Sequence, residues 1–126
     1  MYFIETSARV GGANIADMVE AATGINLWEE WATIEIGSDD AGWEYRLPAA
    51  RQEYGGVILS LARQERPDTS GFTDPEIFYR PEHKHHIGFV LRSPSPQRVE
   101  ELLNSYRERI LRDYHAALPP ADKALT

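Results

Sequence analysis

The sequence predicts an α+β domain in which helices pack on a mixed or antiparallel sheet. Three observations carry that prediction. An alternating N-terminal run leads into two helical patterns, a series of strand-like runs follows, and a long amphipathic helix closes the chain. The 126 residues fit one domain over 1–118 with a loose tail over 119–126.

"MYFIETSAR" opens with aromatic and β-branched residues and alternates, which reads as a strand. Gly11 and Gly12 break it. Ile15, Met18, Val19 and Ala22 then fall at helical spacing, and Gly24 is placed to cap that helix. Asn26 and Glu29 have the form of a capping box, so a second helix is expected from Leu27 towards Ile36, ended by Gly37. Residues 38–53 form a polar, acidic connection. "GGVILSLA" puts Val57, Leu59 and Leu61 on one face and Ile58 and Ala62 on the other, as in a strand buried on both sides. "RPDTSGFTDP" reads as a loop, "EIFYR" as a short strand and "HHIGFVLRS" as a longer one. In the last helix Ser95 is the N-cap and Pro96 takes the first position, where its missing N–H costs nothing. Val99, Leu102, Leu103, Tyr106, Ile110 and Tyr114 make its apolar stripe, and Pro119 and Pro120 are expected to stop it.

Composition excludes several classes of function. Thirteen basic against twenty acidic residues give a net charge of −7, the wrong sign for a nucleic-acid backbone or an anionic membrane surface. There is no cysteine, which rules out disulfides, thiolate catalysis and cysteine-based zinc sites. No apolar run reaches the roughly 18 residues of a membrane span, and the N-terminus lacks the basic start and apolar core of a signal peptide. A cytoplasmic location is the expectation.

The chemistry concentrates in "FIETSARVGG". On a strand Phe3, Glu5, Ser7 and Arg9 share one face, and Glu5 and Arg9 lie on the order of 13 Å apart along the backbone, close enough to converge on one ligand. A carboxylate and a hydroxyl are hard donors that suit magnesium, and Arg9 offers a bidentate fork to phosphate. Gly11 and Gly12 let backbone approach a ligand ahead of a helix N-terminus. An ordinary edge strand with a polar face, a glycine turn and an amphipathic helix produces the same pattern.

The stretch "IETSARVGGANIADMVEAATGINLWEEWA" resembles the last catalytic strand and following helices of the ATP-grasp superfamily, of the biotin carboxylase, carbamoyl phosphate synthase and amino-acid ligase types. That pattern is an E-x-N-x-R strand, then Gly-Gly, then a helix ending in Ala-Thr-Gly, then a short second helix. "HHIGFVLRSPSPQRVEELLNSYRERI" resembles, more loosely, the closing strand and helix. The resemblance implies Glu5 and Ser7 as metal ligands, Arg9 as the catalytic contact to phosphate or activated substrate, and Gly11 and Gly12 as cofactor-binding positions. Ser7 replaces the family's Asn, and a hydroxyl reaches less far than an amide carbonyl.

The implied cofactors are Mg2+ and ATP. The family's lysine, glycine-rich phosphate loop, adenine-binding hinge and further acidic ligand would have to come from an N-terminal ATP-grasp half. The resemblance therefore implies the C-terminal fragment of a carboxylate-amine or related ligase acting through an acyl phosphate on a small-molecule carboxylate, and a chain that is inactive alone. The alternative is a non-catalytic interaction module on the same framework, with the exposed first strand pairing two copies as a homodimer.

Other clusters are less specific. His83, His85 and His86 in "HKHH" follow Glu82, and a strand would put His83 and His85 on one face, as for a transition metal. With no fourth ligand placed, solvated imidazoles at the start of a strand fit better. "SDDAGWEYR" lacks the alternating ligands of a calcium loop. Trp28 and Trp31 share a helix face suited to core or partner contact. Ser60 has no nucleophile-elbow sequence around it.

Overall fold

The computed structural model describes residues 9–39 and 41–117. The predicted first strand, apart from Arg9 at its end, lies outside them, as do Glu5 and Ser7 and the tail prolines. The described chain is α+β: α1 (Ile15–Thr23), α2 (Leu27–Gly37), β1 (Tyr54–Leu61), β2 (Ile77–Tyr79), β3 (His86–Ser93) and α3 (Pro96–Asp113). The three strands form one antiparallel sheet in the order β1-β3-β2.

As the middle strand, β3 is buried on both faces, and Ile87, Phe89, Val90 and Leu91 are all shielded. The expectation of two-sided burial for "GGVILSLA" needs correcting. Leu59 and Leu61 near the end of β1 are 41% and 45% exposed, and β1 is an edge strand that pairs only with β3 among the described residues.

The helices pack on opposite faces of this sheet, and a glycine pair permits both approaches. A Cβ on Gly55 would lie 2.7 Å from the Met18 carbonyl oxygen of α1, and one on Gly56 would lie 2.7 Å from Val99 Cγ1 of α3. Neighbouring strand residues point to opposite faces, so each glycine admits its own helix.

On the α3 face Phe72, Phe89 and Tyr106 form an aromatic trio with ring centroids 4.5–5.0 Å apart, and Ile87, Leu91, Leu102 and Ile110 complete the core around it. Phe72 comes from the loop before β2 and is fully buried. Arg80 holds that loop by donating to the carbonyls of Thr69 and Phe72 at 2.7 and 2.6 Å.

The helix ends follow local chemistry. Gly24 caps α1 at φ 79°, and Arg51 donates to the carbonyls of Glu20 and Ala21 there, a cation at the negative end of the helix dipole. Asn26 caps α2 by accepting from the N–H groups of Trp28 and Glu29. Ser95 accepts from Arg98 N–H, with Pro96 inside the first turn of α3.

Helix α3 ends at Asp113, ahead of the expected proline stop. The chain turns there so that His115 bridges to Ala62 and Ala116 N–H donates to the Leu61 carbonyl. Helix α2 has no buried residue. It rests on the connection after it, where Tyr45 donates to Glu30 at 2.8 Å and Trp43 covers Gly37.

Candidate functional site

The segment Arg9–Asn14 leads into α1. Arg9 is exposed, and among the described residues its guanidinium donates only to the neighbouring Val10 carbonyl, at 3.2 Å. It stands at the edge of a shallow apolar groove floored by Leu27, Trp31 and Ile34 of α2 and closed by Tyr45 and Leu47. Gly11 has little room, since a Cβ there would come within 2.9 Å of Ile15. Gly12 faces open space, so steric crowding does not demand glycine at that position.

Ala13 and Asn14 then both adopt left-handed backbone, at φ 50° and 61°. That conformation costs a non-glycine residue about 1–2 kcal/mol, least for Asn, and such strain concentrates at functional turns. Asn14 does not cap α1. Its amide donates instead to the Asp17 carboxylate at 2.8 Å.

Ala13 and Asn14 border a cleft of about 410 Å³ whose other wall is Leu59, Gly88 and the His83–His86 turn. The fold thus brings the glycine-rich turn and the histidine cluster together, although about 70 residues separate them in sequence. The histidines are not arranged as a strand would place them. His83–His86 is a turn closed by His86 N–H donating to the His83 carbonyl, with His85 left-handed at φ 57°. The rings that meet are therefore those of His83 and His86, 6.2 Å between centroids. His86 Nδ1 lies 2.8 Å from the Lys84 carbonyl; a carbonyl can only accept, so Nδ1 carries the proton and Nε2 is free to accept when the ring is neutral. Among the described residues no group of three His, Asp or Glu side chains could hold a metal ion.

Behind the same turn lies a second cavity of about 320 Å³, lined by Arg66, Thr69, Arg80, Glu82, His83 and Lys84 among others. Sequence reasoning missed it. Two Arg-Pro pairs, Arg66-Pro67 and Arg80-Pro81, are its only local signal, and their convergence needs the loop over Phe72 to be folded.

Two other arrangements are structural. Ser60 Oγ lies 2.9 Å from His115 Nδ1 and also donates to the Leu61 carbonyl at 3.0 Å. With its proton committed to that carbonyl, the serine accepts from the imidazole. This is the reverse of nucleophile activation. Trp28 and Trp31 stack at 5.7 Å but are 53% and 40% exposed, so they are not core residues.

No helix among the described residues is long and apolar enough to cross a membrane. No protein-family model, curated protein or solved structure matches the chain.

Proposed function

We propose that the chain is the C-terminal part of a cytoplasmic ATP-dependent carboxylate-amine ligase, or of a related ligase, acting through an acyl phosphate. The observation that supports this most is the Arg9–Asn14 segment. An exposed guanidinium with no carboxylate partner among the described residues precedes a glycine facing open space and a left-handed turn over a cleft. The helix order that follows fits the same reading.

In this reaction a substrate carboxylate oxygen attacks the γ-phosphorus of ATP and the bond to the leaving ADP oxygen breaks. The amine then attacks the acyl carbon of the acyl phosphate, and inorganic phosphate leaves. Arg9 donates to phosphoryl oxygens as charge develops on them, while Gly11 and Gly12 give the polyphosphate close access to backbone. Glu5 and Ser7 have oxygen donors suited to magnesium, which when bound would neutralise phosphate charge. Both lie outside the described residues, and no step is routed through the metal.

The 126 residues contain no glycine-rich phosphate loop, so the reading requires an N-terminal half as partner. The test is ADP release by the protein made from the whole reading frame. Release that depends on an added carboxylate and is lost in Arg9→Ala supports the reading; carboxylate-independent release, or an unaffected variant, contradicts it.

A second reading is an interaction or dimerisation module without catalysis. It is favoured by α2, where Trp28, Trp31, Ile34 and Ile36 are exposed and no residue is buried.

A further inference from the structure

We propose that the cavity between Arg66, Lys84 and the His83–His86 turn binds an oxyanion group, carboxylate or phosphate, of a small molecule. The proposal does not depend on the ligase reading. In a chain of net charge −7, Arg66, Arg80 and Lys84 converge on one concavity that Glu82 also lines, three cations against one carboxylate. Arg66 is exposed and makes no hydrogen bond or ion pair with any other described residue, so its five donors are available to a ligand. Lys84 pairs with Glu65, both more than half exposed. An exposed pair of this kind contributes little, and the ammonium can turn to an incoming anion.

The walls are built before any ligand arrives. Arg80 spends its hydrogen bonds on Thr69 and Phe72, which fixes the loop carrying Arg66, and no carboxylate among the described residues pairs with its guanidinium. The His83–His86 turn is docked from the other side, where His85 N–H donates to the Glu65 carbonyl at 2.9 Å. Pro81 is buried beneath the turn. A fixed, concave wall recognises an anion with less ordering cost than a flexible surface. About 320 Å³ is the size of a small-molecule site rather than of a polymer groove.

The test is calorimetric titration of the chain, in phosphate-free buffer at low salt, with inorganic phosphate and separately with succinate. Saturable binding of either probe is expected, weakened about tenfold in Arg66→Gln, the effect of losing one charge-assisted contact. Arg107→Gln, which removes an exposed cation from α3, should leave it unchanged. Because Arg66 has no partner among the described residues, its variant should melt as the parent does. Preference for phosphate or for succinate tells which oxyanion the cavity takes. No saturation by about 10 mM of either probe, or equal weakening in Arg66→Gln and Arg107→Gln, overturns the proposal. ATP turnover is not read in this experiment, so its failure leaves the ligase reading to its own assay.

Discussion

The buried Tyr106 hydroxyl of α3 donates to Asp74 Oδ2 at 2.6 Å, tying the closing helix to the loop that leads into β2. Burial, then the bond to Asp74, pushes the phenol above its ordinary value. A raised folded-state value means this stabilisation is present in full below the unfolded tyrosine pKa of about 10 and is lost as pH rises from there towards the folded value. Tyr106→Phe should cost about 1–2 kcal/mol at neutral pH, since it leaves Asp74 without this donor. It should also flatten the alkaline loss of stability; thermal melts across that range measure both.

Arg98 reaches the same corner from the first turn of α3, donating to Glu76 at 2.8 Å and to Asp74 at 2.9 Å. The hydrogen bond from Arg98 holds the Glu76 carboxyl below its ordinary value. A lowered folded-state value gives stability that is present above the unfolded glutamate pKa of about 4.3 and is lost as pH falls through the folded value. Glu76→Gln should therefore lower the melting temperature near neutrality and reduce its fall on acidification. Arg98 is 38% exposed, so solvent screening keeps the effect small.

Gly55 and Gly56 should resist substitution for different reasons. Alanine at 55 would press on the Met18 backbone carbonyl, which cannot rotate aside, and alanine at 56 would press on the side chains of Val99 and Leu103. Overpacking of this kind costs about 1–3 kcal/mol. Gly55→Ala is expected to be the worse of the two by denaturant unfolding.

Helix α2 should tolerate change in the isolated chain. Trp31 is 40% exposed and lies outside the buried core cluster, so Trp31→Glu is expected to shift stability by less than about 0.5 kcal/mol. On the interaction-module reading the same variant abolishes self-association measured by light scattering.

Much of this fold could be read in the sequence. Periodicity and caps located all three helices and the three described strands, because Gly24, Asn26, Ser95 and Pro96 act through local backbone chemistry. What could not be read depended on contacts distant in sequence. Phe72 looked like a loop residue because nothing local says that the loop folds over the sheet and plugs the core. The end of α3 was set by the pairing of His115 with Ala62 rather than by the prolines after it. The exposure of Leu59 and Leu61 depends on how far the packed layer reaches along β1, which a run of apolar residues does not encode. At the candidate site, Arg9, Gly11 and Gly12 were legible as a motif. Their neighbourhood was not: the turn's approach to His83 and His86, and the convergence of Arg66, Arg80 and Lys84, need the folded sheet.

The most direct test of the ligase reading is hydroxylamine trapping with the protein made from the whole reading frame. Hydroxylamine added with Mg-ATP and a panel of carboxylates captures an acyl phosphate as a stable hydroxamate. Hydroxamate is expected to form in step with ADP from at least one carboxylate, reduced by about two orders of magnitude in Arg9→Ala as a transition-state contact to the phosphoryl group is lost. ADP formed with no hydroxamate from any carboxylate, or hydroxamate formed equally well by Arg9→Ala, would contradict it.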